Sequence, residues 1–191
     1  MKKRFGIDID GTVTTPDAIV PFLNQHFGLT LTIKDIKDYD LSILVDISKE
    51  DFSKWWLENE PIVYEKSPLA AQAKDTLLDW GKCHELFFIS ARSRYLLKAT
   101  EDWFMKHEIP FDHIELLGTH DKVEMVKKYA LEIFFEDKHD NAVNIHEECK
   151  IPVILFNTPY NQDPVPKGVI RVNNWSEAKD QVELWLSKSN A

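Results

Sequence analysis

The stretch Phe5-Gly6-Ile7-Asp8-Ile9-Asp10-Gly11-Thr12-Val13-Thr14 decides the fold. Residues 5–9 read as a short strand, apolar enough to be buried on both faces, as in a parallel sheet. The strand runs straight into two carboxylates. Asp8 and Asp10 flank a single residue, so on a regular strand both point to the same side. Like charges placed together raise each other's pKa and require compensation. A hard cation such as magnesium, which prefers oxygen ligands, is a reasonable compensator. Taken alone, Asp10-Gly11 is equally a common turn dipeptide after a strand. The rest of the chain has to decide between these readings.

Further apolar runs occur at residues 85–89, 113–117, 132–135 and 152–156, with 169–172 as a sixth. Between them lie helical patterns at 70–80, ending at Gly81, and at 94–107, 122–130 and 178–186. Strands alternating with helices predict βαβ units and a parallel sheet. One segment breaks the alternation. Residues 17–27 look helical and stop at Gly28, and residues 32–38 could open another helix. Ser48-Lys49-Glu50-Asp51 then has the form of a capping box ahead of Phe52, Trp55, Trp56 and Leu57. The expectation is a catalytic core from 1–15 and 68–191, with a helical cap inserted at 16–67. An insert after the first strand of an open α/β sheet lies over the carboxyl ends of the strands, where ligands bind.

Downstream of the acid pair, Leu86-Phe87-Phe88-Ile89-Ser90 is an apolar strand ending in a hydroxyl, followed by Ala91-Arg92-Ser93. Lys122 opens a helix, where the macrodipole disfavours a cation. Ile133-Phe134-Phe135-Glu136-Asp137 is an apolar strand ending in acids. In order and spacing, these four motifs resemble the haloacid dehalogenase superfamily. The resemblance implies a Rossmann-like α/β core and a magnesium-dependent phosphatase. It implies Asp8 as the nucleophile that forms an aspartyl-phosphate, and Asp10 as the acid and base for leaving group and water. Mg2+ would be held by Asp8, the backbone carbonyl of Asp10, and Asp137. Ser90 and Lys122 would hold the phosphoryl oxygens, and Arg92 would make phosphate contact beside them. Position 141 is Asn where one common form of the fourth motif has Asp. Glu136 and Asp140 therefore stand as candidate outer partners of the metal site. The presence of Asp10 points to a phosphatase rather than a dehalogenase.

The cap, the Ser-Ala-Arg sequence and Asn157-Thr158-Pro159-Tyr160-Asn161 are similar to the 5'(3')-deoxyribonucleotidase branch and its bacterial relatives. That similarity implies a nucleoside monophosphate substrate. A nucleoside needs an apolar or aromatic wall for its base. The cap offers Phe22, Phe27, Tyr39, Trp55, Trp56 and Tyr64, most of them expected in the cap's own core. Two alternatives remain: a phosphatase of another small metabolite such as a sugar phosphate, and a non-catalytic phosphate-binding regulatory module.

Bulk properties bound the partners. The 191 residues carry a formal net charge of -9, so a basic footprint for polymeric nucleic acid or an anionic membrane is missing. A small anionic substrate stays open, because a bound cation reverses the local field. Cys83 and Cys149 read as free thiols, which suits a reducing cytoplasm. Asp8 and Asp10 interrupt the apolar stretch behind the basic N-terminus, which argues against a signal peptide.

Overall fold

The computed structural model describes residues 2–189. Six strands form one sheet in the spatial order β3-β2-β1-β4-β5-β6. They are β1 (Arg4–Ile7), β2 (Glu85–Ser90), β3 (His113–Leu116), β4 (Ile133–Glu136), β5 (Val153–Phe156) and β6 (Val169–Val172). Every pairing among them is parallel. All six expected strands are present, and β4 and β5 are buried along their whole length.

The sheet order explains where a site forms. From β1 the chain winds outward through β2 to β3, then returns to place β4 on the other side of β1. The winding direction therefore reverses between β1 and β4. At such a point the connections leave in opposite directions and open a crevice at the strands' carboxyl ends. Asp8 lies just past β1 and Asp137 just past β4, so both acids are delivered to that crevice.

Side chains alternate across the sheet as the two-residue period requires. Phe5, Ile7, Leu86, Phe88, Ile133 and Phe135 face one core. That core is closed by α3 (Ala73–Gly81), α4 (Leu97–His107) and α7 (Trp175–Ser189). Ile89, Phe134, Val153 and Leu155 face the other, against α5 (Val123–Lys128) and α6 (His139–Cys149). Gly6 lies where the second core comes closest to β1. A Cβ there would enter the Phe134 ring and the Leu131 side chain, so β1 can pair with β4 only because residue 6 has none.

The insert holds α1 (Val20–Phe27) and α2 (Lys49–Lys66). Gly28 ends α1 in the left-handed conformation, φ 67°, as its position predicts. Ser48 caps α2 by accepting from Asp51 N at 3.1 Å. Leu23, Val45 and Trp55 form a small separate core, with Phe22 and Phe27 packed on it. Thr14 and Leu69 form an isolated antiparallel bridge, and Thr15 N donates to Pro68 O at 3.0 Å. The two ends of the insert are thereby tied together.

Three local expectations change. Residues 32–38 make only a 3-10 turn, Ile33–Asp35. Gly81 lies inside α3 rather than capping it, and its small size admits Pro110, whose Cγ would be 2.9 Å from an added Cβ. The helix α6 has no counterpart in the sequence pattern, because Ala142 and Ile145 are its only buried residues.

Trp175 closes the base of the site. It is 1% exposed, stacks near-parallel on Phe135, and donates from Nε1 to Thr12 O at 3.1 Å. Trp175→Phe keeps most of the packing and leaves that buried carbonyl without its donor. We expect a loss of about 1–2 kcal/mol, seen as a melting temperature lower by about 2–8 °C. An unchanged melting temperature would show that Trp175 does not brace the loop.

Candidate active site

Asp8 extends β1 by one more bond, its N–H donating to Phe135 O at 2.9 Å. The chain then turns sharply. Val13 N and Thr14 N both donate to Ile9 O at 2.9 Å, and the buried Thr14 Oγ1 accepts from Gly11 N at 3.2 Å. Gly11 adopts φ 81°, a left-handed conformation that side chains disfavour. A Cβ at residue 11 would also collide with the Asp137 carboxylate. Glycine is thus required here both for backbone shape and for space. The turn leaves Asp8 buried and Asp10 at the cavity edge, each facing a different cation.

Lys122 stands at the N-terminal boundary of α5 and is 2% exposed. Its ammonium binds Asp8 Oδ1 and, at 2.8 Å, Glu136 Oε2. Arg92 is equally buried and grips Asp10 with both arms, Nη2 to Oδ1 at 2.7 Å and Nε to Oδ2 at 2.9 Å. Its Nη1 donates to Thr100 Oγ1 at 3.2 Å, and its guanidinium carbon lies 4.0 Å from the Tyr64 ring centre. The sequence suggested phosphate contact for Arg92; here its guanidinium is engaged by Asp10. Its planar fork matches one carboxylate in two places and is taken up by Asp10. Ser90 Oγ lies between the two residues, accepting from Arg92 N at 3.2 Å and reaching Asp10 Oδ2 at a long 3.5 Å.

Asp8, Glu136 and Asp137 each offer a carboxylate oxygen, all within 4.8 Å of one another. The Asp10 side chain is not part of this group, and Glu136 is. Asp137 Oδ2 accepts from Tyr160 OH at 2.6 Å and from Tyr39 OH at 2.9 Å. Its backbone carbonyl accepts from Asn161 Nδ2 at 2.6 Å. Asp140, the other candidate outer partner of the metal site, has a side chain that is 85% exposed and contacts His139. Asn141 instead reaches Glu136, Nδ2 to Oε2 at 3.4 Å.

Three buried carboxylates thus lie around one ammonium, which binds only Asp8 and Glu136, and their titration reflects the shortage. Burial pushes Asp8 up to about 7; Lys122 opposes this and the neighbouring Glu136 and Asp10 add to it. Burial, then the charges of Glu136 and Asp8, hold Asp137 well above the usual carboxylate range against both tyrosine bonds. Glu136 is also raised by burial, but Lys122 outweighs that and holds it below its ordinary value. The ammonium therefore satisfies Glu136 and leaves Asp8 and Asp137 short of positive charge. An all-oxygen set with that deficit fits a hard divalent cation.

These groups open into a cavity of about 490 Å³ between the sheet's carboxyl edge and the insert. Ile36, Leu41, Phe52, Trp56 and Tyr64 supply an apolar wall, and Tyr39 also faces in. Of the other aromatics the sequence suggested, Phe22, Phe27 and Trp55 belong to the insert's own core. The sequence pattern assigned no role to Tyr160, Asn161 or Glu60. The first two lie in a loop after β5 at the ligand-binding end of the sheet, within the 157–161 stretch that the sequence marked only by its resemblance.

The family model described as 5' nucleotidase, deoxy (pyrimidine), cytosolic type C protein matches residues 3–188. The chain belongs to this family. A protein carrying a provisional nucleotidase name from Halalkalibacterium halodurans is 48% identical, over 98% of this chain and 96% of its own. A nucleotidase of Clostridium acetobutylicum is 30% identical over 97% and 96%. A haloacid dehalogenase-like hydrolase of Streptococcus pneumoniae shares the fold, with TM-score 0.68 at 15% identity over 95% and 98% of the two chains. The chain is a phosphatase of the nucleotidase kind, acting on a small phosphate ester, with the fold of haloacid dehalogenase-like hydrolases. Among the described residues, no helix is long and apolar enough to cross a membrane.

Asp8 and Asp137 bind protons more tightly when folded than an exposed carboxylate would. The contribution of Asp8 to metal-free stability is full below about pH 4 and falls as pH rises through about 7, and that of Asp137 likewise falls as pH rises. Asp137→Asn removes one of these charges and keeps an acceptor for the tyrosines. In chelator at about pH 8 this variant should melt about 2–5 °C above the parent. Below about pH 5 the difference should shrink. A lower melting temperature at high pH would contradict the charge-deficit account.

Proposed function

We propose that the chain is a magnesium-dependent phosphomonoester hydrolase that works through an aspartyl-phosphate on Asp8, with nucleoside monophosphates as substrates. The observation that carries this reading is the division of charges in one cavity. Lys122 is fixed on Asp8 and Arg92 on Asp10, while Asp8 and Asp137 share a space suited to a cation. Magnesium, when bound by Asp8 and Asp137, neutralises charge on the phosphoryl oxygens and so lets an anionic nucleophile approach an anionic ester.

The chain's own residues do the rest. An Asp8 oxygen bonds to phosphorus as the ester P–O bond breaks, and the electron pair leaves on the ester oxygen. Asp10 supplies that oxygen with a proton. Asp10 then takes a proton from water as the water oxygen attacks phosphorus, and the Asp8–phosphorus bond breaks to release phosphate. Lys122 and Ser90 steady the phosphoryl oxygens. Arg92 sets the direction in which Asp10 faces. Residues 16–67 act as the cap that shapes the leaving-group side of the cavity.

Two features support a nucleoside over a plain sugar. The cavity volume suits a ligand of that size, and the aromatic wall of α2 suits a flat ring. The family description and the names of the relatives point the same way.

Asp8→Asn should lower phosphate release by about three orders of magnitude or more. It should do so while melting at or above the parental temperature. Parent-like turnover would remove Asp8 from the nucleophile role. Activity should vanish in chelator and return with magnesium, and activity that survives exhaustive chelation would refute the metal requirement. A phosphate-release screen across ribo- and deoxynucleoside 5'- and 3'-monophosphates and sugar phosphates tests the substrate class. A clear preference for sugar phosphates would overturn the nucleotide assignment and leave the chemistry standing.

A further inference from the structure

Phe52, Trp56, Glu60 and Tyr64 recur at four-residue spacing along α2, which places them on one helix face. That face lines the cavity. Three of the four side chains are aromatic. The other is a carboxylate, and Glu60 is 1% exposed. Its Oε1 accepts from Tyr95 OH at 2.6 Å, across from the 3-10 turn Arg94–Leu96. Among the described residues no Lys, Arg or His forms an ion pair with it, and Oε2 has no hydrogen-bond partner.

Such a residue is expensive for the fold. A carboxylate set in the cavity wall without a counter-charge is disfavoured where Leu or Met would simply pack. The insert's small core does not use Glu60. Its neighbour Tyr64 locates it relative to the chemistry. Tyr64 follows Glu60 by one turn of α2, and its ring centre lies 4.0 Å from the guanidinium carbon of Arg92, which grips Asp10. Asp8, Tyr64 and Glu60 all line the same cavity.

We propose that Glu60 is a specificity-determining residue of this site. Its unpaired carboxylate oxygen accepts a hydrogen bond from an O–H or N–H donor on the non-phosphate part of the substrate. The same charge repels esters that carry a second anionic group at that end. The donor can be a sugar hydroxyl or the amine or imide edge of a base, chemistries that a carboxylate recognises alike. A flat ring lying on Phe52, Trp56 or Tyr64 would present such an edge to an acid set among them. The inference rests on the phosphomonoesterase reading of the site and not on the substrate being a nucleotide.

The test compares kcat/KM for the wild-type chain, Glu60→Gln and Glu60→Ala on ester pairs that differ by one donor. One arm uses ribo- and deoxynucleoside monophosphates. A second uses uridine monophosphate and its N3-methyl derivative, and cytidine monophosphate and its N4,N4-dimethyl derivative; a third uses sugar phosphates with their deoxy analogues. In the wild type, one pair should separate by about 10- to 100-fold, chiefly in KM. Glu60→Ala should collapse that separation, and Glu60→Gln, which still offers an oxygen acceptor, should keep part of it. The arm that responds identifies the donor. No separation in the wild type, or an equal loss on both members of every pair in Glu60→Ala, would overturn the proposal. If the wild type released no phosphate from any ester, the activity reading would fail separately. Calorimetric binding of the same pairs to Asp8→Asn chains, with and without Glu60→Ala, would then decide on Glu60 by the same criterion.

Discussion

One ammonium shared between two buried carboxylates sets the terms for the rest of this structure. Lys122 bridges Asp8 and Glu136, and its single charge satisfies the second more fully than the first. The strand order brings these residues together at the reversal between β1 and β4, before any side-chain preference acts. Gly6 lets those strands approach, and Gly11 lets the loop after β1 clear Asp137. Asn161 and Trp175 then fix the backbone on either side. Much of the surrounding packing thus serves to hold like charges closer than they would stand in water. That arrangement is costly in a metal-free chain and fits a cation site.

The two acids of the first motif are held by opposite strategies. Asp8 faces a compact ammonium that it shares, so part of its charge remains available to a cation or an electrophile. Asp10 faces a planar guanidinium that takes both of its oxygens. Tyr64 and Thr100 in turn hold the guanidinium, so the pair behaves as one rigid unit. Rigidity suits a group that must meet a leaving oxygen at one position. The regular-strand argument that both acids point to the same side thus captured the shared cavity and missed the separate partners. β1 ends at Ile7, and the turn around Gly11 carries Asp10 out of the strand's register.

The fold was legible because buried parallel strands are nearly continuous in apolar character, and all six appear that way in the sequence. Asp8, Asp137, Ser90 and Lys122 were legible because each sits at a strand or helix end that the pattern locates. The features that escaped depend on the direction of a side chain. Arg92 next to Ser90 reads as a phosphate ligand until Asp10 is seen to fill its fork. Asp140 reads as part of an acid cluster until α6 is recognised, since a helix beginning at His139 turns residue 140 outward. That helix is itself faint, because its fully buried residues are Ala142 and Ile145 alone. Tyr39 reads as a base-stacking candidate, yet its hydroxyl goes to Asp137 while 40% of the residue stays exposed.

Tyr39 shows how the insert and the acids depend on each other. The insert meets the rest of the chain through few polar contacts over the cavity: Tyr39 on Asp137, Glu60 on Tyr95, and Tyr64 against Arg92. Each such contact contributes about 1 kcal/mol net, so together they hold the insert without locking it. Its two ends are bridged at Thr14 and Leu69, beside the loop that carries Asp8 and Asp10. A segment pinned at one edge and lightly held at the other suits a cavity that must admit an ester and release phosphate. Two of these contacts end at the reacting groups, on Asp137 and on the Arg92 that grips Asp10. A ligand that draws Asp137 or Asp10 toward itself therefore changes the hold on the insert, and a shift of the insert changes the surroundings of both acids.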